Sequence, residues 1–162
     1  YMTYEDNIIK AYYFSTSNGY TENVANVFGE TLDYLVSVES PYDENTKQFY
    51  SKVIINKEEF LNKLNLKETN IKIGNITRTE SNRVETITIN DKIYTGIEIR
   101  KLLNLRSTDF DISIAGNEIE IATKGYGHGV GMSQYGANEL AKIGYAYDEI
   151  LKHYYSGIKI VK

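Results

Sequence analysis

The sequence predicts an α+β fold, built from mixed antiparallel sheets with several short helices. Two observations along its 162 residues lead to this prediction. Segments in which apolar and polar residues alternate recur between clusters of turn-forming residues, a pattern typical of antiparallel strands. Short segments with helical spacing lie among them, but without the strand–helix–strand rhythm that a parallel sheet needs.

The first fifty residues contain two predicted strands and one short helix. IIKAYYFS, residues 8–15, is β-branched and aromatic and predicts a strand, which runs into a polar loop with Asn18-Gly19 as its turn. NVANVFGE predicts a short helix. YLVSVES, residues 34–40, alternates and predicts a second strand, which ends at Pro41, the only proline of the chain.

The middle of the chain, at about 48–123, predicts a small β-rich lobe. Its elements are a strand over 48–56, a helix capped by Asn56 with Glu59 as capping partner, a meander over 71–96 with turns at Ser81-Asn82 and Asn90-Asp91, a second helix capped by Thr95, and a hairpin turning at Ala115-Gly116-Asn117. The apolar residues expected to face the core are Phe60, Leu61 and Leu64 of the first helix, and Ile97, Ile99, Leu102 and Leu103 of the second.

Four glycines alternate with other residues in GYGHGVG, residues 125–131. Period two predicts a strand with the glycines on one face and Tyr126, His128 and Val130 on the other. Two interpretations of the bare face remain open: a polysaccharide or a neighbouring segment lies against the exposed backbone, or a helix packs there. Helical patterns near 133–142 and 147–154 and a short final strand complete the chain.

Composition excludes several classes of function. The chain has no cysteine, so neither a disulfide framework nor a thiolate metal site is available, and we expect no cofactor. Its formal net charge of −4, with scattered basic residues, makes a nucleic-acid partner unexpected. Fifteen tyrosines offer rings with hydrogen-bonding tips that suit a sugar, while a coding bias toward tyrosine explains the same count.

Hydroxyl, amide and carboxyl groups are concentrated in STSNGYTEN, residues 15–23. Such a cluster can bind several sugar hydroxyls, and its candidate substrate-binding residues are Ser15, Thr16, Ser17 and Glu22. A serine nucleophile would need a neighbouring base, and no histidine adjoins the cluster.

Further candidates have two interpretations each. Asp43 is either a turn residue or an acid of the site, and His128 is a polar group in a cleft or, less favourably, an acid or base. Ser133 is suited to cap the following helix, and Gln134 can bind a sugar hydroxyl. The two histidines lack the spacing of metal ligands, so no metal site is expected.

Four segments together resemble the stage II sporulation protein D family, in the wider group that includes the amidase enhancers. They are AYYFSTSNGYTEN, YLVSVESPYD, TGIEIRKLLNLRSTDF and KGYGHGVGMSQYGANELAKIGYAYDEILKHYYSGIKI, which cover nearly half of the chain. The resemblance implies that residues 1–162 are the larger, C-terminal part of the family's catalytic domain.

The resemblance implies a lytic transglycosylase that acts on bacterial glycan strands stripped of stem peptides. Such an enzyme cleaves between N-acetylmuramic acid and N-acetylglucosamine and leaves a 1,6-anhydro end. One carboxylic acid protonates the glycosidic oxygen and, as carboxylate, then takes the proton of the sugar's own 6-hydroxyl. The substrate therefore supplies the nucleophile, unlike in the hydrolases that use two carboxyl groups.

The resemblance also implies site residues. The family's acid/base glutamate belongs to a segment near a Glu-Met-Pro that this sequence does not contain, so no catalytic residue is assigned and the chain alone is expected to be inactive. Tyr4, Tyr34 and Asp43 match family residues implicated in the activity, with Tyr4 as a substrate-binding residue and Tyr34 and Asp43 as supporting residues. The cluster Ser15-Thr16-Ser17, Tyr126 and His128 border the same cleft. Val36 occupies the position of a lysine found in sporulation members. Zinc, which some members bind, is not expected.

The resemblance leaves an alternative function open, that of a non-catalytic glycan-binding module that stimulates a partner amidase. Denuded glycan strands, an amidase and membrane proteins of the engulfment machinery are the expected partners. The expected location is extracytoplasmic, with a membrane anchor contributed by a segment upstream of this chain.

Overall fold

The computed structural model describes residues 1–161, which form five α-helices and eleven strands. In chain order the elements are β1 Met2–Tyr4, β2 Asn7–Ile8, β3 Tyr13–Phe14, α1 Val24–Phe28, a 3₁₀ helix Pro41–Asn45, β4 Tyr50–Asn56, α2 Lys57–Lys63, β5 Ile73–Arg78, β6 Val84–Ile89, β7 Lys92–Thr95, α3 Gly96–Leu102, β8 Asp109–Ala115, β9 Glu118–Lys124, β10 Met132–Ser133, α4 Gln134–Lys142, α5 Tyr147–Tyr154 and β11 Lys159–Ile160. The α+β prediction is confirmed. None of the helices over 1–161 is long and apolar enough to cross a membrane.

The chain divides into two compact units. The first, called here the discontinuous unit, comprises Tyr1–Phe49 and Gly125–Lys162, and the second, the inserted unit, is Tyr50–Lys124.

The inserted unit contains two three-stranded antiparallel sheets, ordered β4-β9-β8 and β5-β6-β7. Alternation explains both: in β9, Ile119 and Ile121 are buried while Glu118 and Lys124 are exposed. The meander, the hairpin and the caps Asn56 and Thr95 are confirmed. At Asn56 the side chain accepts the Glu59 N–H at 2.8 Å, which is one half of the predicted capping box. Thr95 and Glu98 form a reciprocal capping box at the start of α3.

The core of the inserted unit collects the apolar residues of both sheets and both helices. Phe60, Leu61 and Leu64 are buried, as predicted for α2. For α3 the prediction is half right, because Ile99 and Leu103 are buried whereas Ile97 and Leu102 are exposed. Only the residues on the inward face of a short helix such as α3 pack into the core, and apolar residues on its other face stay exposed.

The discontinuous unit joins the two ends of the chain. β1 is the middle strand of a sheet ordered β11-β1-β2, where Thr3 pairs with both Ile8 and Lys159. A parallel pair, β3 with β10, joins Tyr13–Phe14 to Met132–Ser133. The helices α1, α4 and α5 contribute Val24, Leu140 and Ile150 to one buried cluster.

Two of the strand predictions in this unit are wrong in extent. Residues 8–15 do not form one strand but two short pieces, β2 and β3, separated by irregular backbone. Residues 34–40 form no strand beyond one isolated bridge, Glu39 with Tyr20. Their backbone instead bonds irregularly to residues 19–24, as in Thr21 N–H to Val38 O at 2.8 Å and Val24 N–H to Leu35 O at 3.1 Å. Alternation over seven residues did not reveal this pairing.

The predicted glycine strand is also wrong. Gly125, Gly127, Gly129 and Gly131 have φ values of 84°, 116°, 88° and 78°, which lie outside the β region, and the segment is a loop with isolated bridges at Tyr126 and Val130. It runs beside residues 12–22: Tyr126 N–H donates to Thr16 O at 2.7 Å and Glu22 N–H donates to Gly129 O at 2.7 Å.

The glycines are needed for close packing rather than for an open face. A Cβ at Gly131 would lie 2.0 Å from the carbonyl oxygen of Tyr12, and one at Gly125 would lie 2.9 Å from that of Thr16. The expected polysaccharide bed is therefore occupied by the protein's own backbone. The interpretation in which a neighbouring segment lies against the bare backbone is therefore confirmed, because the covering element is the segment around residues 12–18 and not a helix.

Candidate functional site

A surface pocket of about 430 Å³ in the discontinuous unit brings together two residues that the sequence singled out, Tyr4 and Tyr34. The β1–β2 turn supplies one wall with Glu5 and Asn7, and the segment 31–34 supplies another with Asp33. Lys10 and Thr31 complete the set of polar lining residues. The pocket thus combines two phenol groups, an amide and charged groups.

The two tyrosine rings of the pocket are in contact. Their centroids are 5.3 Å apart with an interplanar angle of 45°, a favourable tilted arrangement. Tyr34 is buried, and its hydroxyl oxygen accepts the backbone N–H of Lys10 at 3.0 Å. Because a tyrosine hydroxyl also has one proton to donate, this bond orients the group toward a further acceptor.

The charges around the pocket are partly neutralised. The Lys10 ammonium donates to a Glu30 carboxylate oxygen, and this bond raises the pKa of Lys10 and lowers the pKa of Glu30. Burial, followed by the carboxylates of Asp33 and Glu5, raises the pKa of the Tyr4 hydroxyl, which therefore stays protonated at neutral pH.

Asp43 does not line this pocket and instead forms the centre of a buried hydrogen-bond network, called here the Asp43 network. Its side chain is 0% exposed. Oδ1 accepts the Ser17 N–H at 3.1 Å and the Ser133 hydroxyl at 2.5 Å. Oδ2 accepts the hydroxyls of Ser17 at 2.8 Å and of Ser40 at 2.5 Å. Four donors from three serines thus converge on one carboxyl group.

The Asp43 network fixes segments that are far apart in sequence. Ser133 is the N-cap of α4 and also accepts the Gly136 N–H at 3.2 Å, while Ser40 is hydrogen-bonded to the Tyr154 hydroxyl at 2.7 Å. Burial raises the pKa of Tyr154, so this hydroxyl is neutral at physiological pH. A Cβ at Gly136 would lie 2.5 Å from Asp43 Oδ2, so only glycine fits there.

Several predicted sugar contacts are enclosed by the fold. Thr16, Ser17, Glu22 and Ser133 are buried, and so is Asp43. Glu22 accepts the Asn23 N–H at 2.7 Å and the Asn26 side-chain amide at 2.9 Å. In this conformation these groups are enclosed and positioned to hold the backbone, and their assignment as sugar contacts stays a prediction.

Four predicted substrate-binding residues do have accessible surface in the discontinuous unit, in addition to Tyr4. They are Ser15 and His128, which are partly exposed, and Tyr126 and Gln134, which are exposed. The Ser133 cap on α4 is confirmed as an alternative that the sequence also predicted.

His128 lies among aromatic rings. Its ring centroid is 5.4 Å from that of Phe28, 5.7 Å from that of Phe14 and 6.4 Å from that of Tyr12. The Val130 N–H donates to Nδ1 at 3.0 Å, so the neutral imidazole has its proton on Nε2. Among residues 1–161, no three His, Cys, Asp or Glu side chains are grouped so that they could hold a metal ion.

Sequence reasoning missed Lys10, Glu30, Ser40 and Tyr154. Nothing in the spacing of these residues pairs Lys10 with Glu30 or Ser40 with Tyr154, because the contacts cross 20 and 114 positions of the chain. One signal was available for Ser40, since a serine directly before Pro41 can turn its hydroxyl to a nearby acceptor, here the Asp43 carboxylate three residues on. Its backbone is not extended as the following proline predicted, with φ −142° and ψ 63°.

Comparison with known proteins found close relatives, although no protein-family model matches the chain. It is 45% identical over 98% of its length to "Stage II sporulation protein D" of Bacillus amyloliquefaciens, and 43% identical to that of Bacillus subtilis. It spans about half of these relatives, 47% of each. A 63-residue stretch, 37% of the chain and 9% of the relative, is 43% identical to "Amidase enhancer" of Bacillus subtilis.

The two Bacillus matches run through nearly the whole chain and therefore include both the pocket residues and the Asp43 network. The resemblance carried by the four sequence segments is confirmed. The chain belongs to the stage II sporulation protein D family.

Proposed function

We propose that the chain is the glycan-binding part of a domain that cleaves peptidoglycan strands by lytic transglycosylation during sporulation engulfment. Its relatives' names associate it with sporulation, and the amidase-enhancer match associates it with peptidoglycan. The substrate is denuded glycan, and the product carries a 1,6-anhydro-N-acetylmuramic acid end.

The observation that carries this proposal is the convergence of Tyr4 and Tyr34 in one pocket of about 430 Å³. That volume lies within the range of pockets that hold small ligands. Tyrosine rings offer apolar faces for a pyranose, and the hydroxyls, the Asn7 amide and the carboxylates offer hydrogen-bond partners for its hydroxyls.

In this proposal each residue of the chain has a limited role. The Tyr34 hydroxyl, oriented by the Lys10 N–H, donates to a substrate oxygen or to the acid/base carboxyl during proton transfer. That carboxyl comes from a glutamate outside this chain. Asp43 and Glu22 do not take its place, because both are enclosed and accept hydrogen bonds from the protein itself.

The test uses the full-length protein and purified denuded glycan strands, with products weighed by mass spectrometry. Products one water lighter than those of hydrolysis are expected. Tyr34→Phe, which removes one positioned donor, should lower the rate by about a hundredfold. Tyr147→Phe, at an exposed tyrosine outside the pocket, serves as the matched control and should keep the rate. Hydrolytic product masses would contradict the proposal.

A second candidate function is a non-catalytic glycan-binding module that stimulates an amidase. The 63-residue match to an amidase enhancer favours it, as does the enclosure of Asp43 and Glu22. If the full-length protein binds denuded glycan without cleaving it, and raises the rate of a purified amidase, this second function replaces the first.

The proposed setting is extracytoplasmic, with an anchor supplied by a segment outside this chain and with amidase and membrane-protein partners. The match to an amidase enhancer supports the amidase partner. Labelling of the full-length protein in intact sporulating cells by a membrane-impermeant reagent tests the location, and protection from the reagent would contradict it.

A further inference from the structure

We propose a second saccharide-binding position, specific for a neutral amino sugar, in a pocket separate from that of Tyr4 and Tyr34. The pocket measures about 370 Å³ and is lined by Asn18, Gly19, Tyr20, Glu39, Pro41, Glu44 and Phe49. It shares no lining residue with the first pocket. The inference rests on the proposed function, because it places a second residue of the same glycan strand.

The pocket is preformed by two loops that are locked together. The Ser40 N–H donates to Gly19 O at 2.7 Å, and Tyr20 forms a bridge with Glu39. Within the first loop the Tyr20 N–H donates to Asn18 Oδ1 at 3.3 Å, and Pro41 begins the 3₁₀ helix that carries Glu44. A ligand therefore binds here without first ordering either loop.

The lining residues have the chemistry of a sugar site. Tyr20 is 45% exposed, so part of its ring is available to stack on a pyranose. Glu39 and Glu44 are exposed carboxylates, which accept hydrogen bonds from sugar hydroxyls. At Gly19, φ is 107° and a Cβ would meet nothing within 4 Å, so bare backbone faces open space.

Charge decides which sugar fits. The lining contains two carboxylates and no lysine or arginine, so it repels an anion. In a denuded strand, N-acetylmuramic acid has a free carboxylate whereas N-acetylglucosamine is neutral. The pocket therefore selects N-acetylglucosamine, and by doing so it sets the register of the strand along the protein.

The test is a titration of the isotope-labelled 162-residue chain, followed by amide NMR signals, with two probes. Neutral chitotriose should shift the amide signals of Asn18, Gly19 and Tyr20. A glycan fragment whose muramic acid residues have free carboxylates should bind at this pocket with about tenfold lower affinity. Tyr20→Ala should weaken chitotriose binding at this pocket about tenfold. Tyr145→Ala is the matched control, since Tyr145 is 48% exposed and outside both pockets, and it should bind as the parent does.

The charge argument has its own variant. Glu39→Gln with Glu44→Gln should bring the affinity for the carboxylate-bearing fragment to within about twofold of that for chitotriose. An unchanged preference would overturn the selectivity. If the signal shifts are confined to Tyr4, Lys10 and Tyr34, the second saccharide-binding position is overturned while the proposed function stands. If no signals shift at either pocket, both the second position and the proposed glycan binding are overturned.

Discussion

The two units of this chain are stabilised by contacts of different range. In the inserted unit, Tyr50–Lys124, most strands pair with their neighbours in sequence, as in β5-β6-β7 and the β8-β9 hairpin. In the discontinuous unit, β1 pairs with β11 and β3 with β10, and Asp43 bonds to Ser17 and to Ser133. Short-range pairing leaves a periodic pattern in the sequence, whereas long-range pairing leaves almost none.

The proposed function follows the same division. Both candidate pockets belong to the discontinuous unit, where loops are held by contacts between distant segments. Irregular backbone can place side chains and bare peptide groups where a regular strand would alternate them, which is why binding residues so often lie on loops positioned by a rigid scaffold.

The largest effect is expected where a long-range contact leaves no space. Gly131→Ala places a Cβ 2.0 Å from Tyr12 O at a φ of 78°. The clash and the left-handed backbone together should lower the free energy of unfolding by at least about 4 kcal/mol. Urea unfolding measures it.

Gly144→Ala separates the two causes of that loss. Gly144 has a φ of 103°, but a Cβ there would meet nothing within 4 Å. Gly144→Ala should therefore lower the free energy of unfolding through backbone strain alone, by about 1–3 kcal/mol. Equal losses for the two variants would show that close packing of the glycine loop contributes nothing.

An intermediate effect is expected at Asp43. Asp43→Asn replaces an acceptor-only oxygen by an NH₂ group that faces hydroxyl donors, and should cost about 3 kcal/mol. The inserted unit offers the control: Asp111 pairs with Arg78 at 2.8 Å but its side chain is 80% exposed, so Asp111→Asn should cost less than about 1 kcal/mol. Thermal unfolding of both variants compares them, and a smaller loss at Asp43 than at Asp111 would contradict the role of the Asp43 network.

The smallest effect is expected for a local contact of the inserted unit. Thr95→Ala removes the hydroxyl that accepts the Glu98 N–H at 3.1 Å, and should cost about 1 kcal/mol. Thr95→Ser keeps the cap and should restore most of the loss in a urea titration. If Thr95→Ala lowered the free energy of unfolding as much as Asp43→Asn does, the short-range and long-range contacts would not differ in their contribution to stability.

Much of the inserted unit could be predicted from local signals. Thr95 before a helical pattern predicts the cap of α3, and the alternation around Gly116 predicts the β8-β9 hairpin, because the groups that bond are close in sequence. The same rule failed at GYGHGVG, where alternation arises from glycines in positive-φ positions and not from the two faces of a strand.

The candidate site was predicted in part. Tyr4 and Tyr34 were identified through family resemblance, and the structure brings them together. Thr16, Ser17 and Glu22 were chosen for their polar groups, yet polarity alone does not distinguish a side chain that meets a ligand from one that binds its own fold.

The sequence by itself determined the fold class, the helix caps, the local hairpins and the family, because each depends on neighbouring residues or on ordered motifs. Only the tertiary structure decided that Gly125, Gly127 and Gly131 are packed against residues 12–18, that Asp43 is enclosed by hydroxyls, and that the two candidate pockets of the discontinuous unit form where they do. Those outcomes depend on which distant segments come into contact. A buried hydrogen bond or a close approach between distant segments produces no pattern in the sequence that separates them.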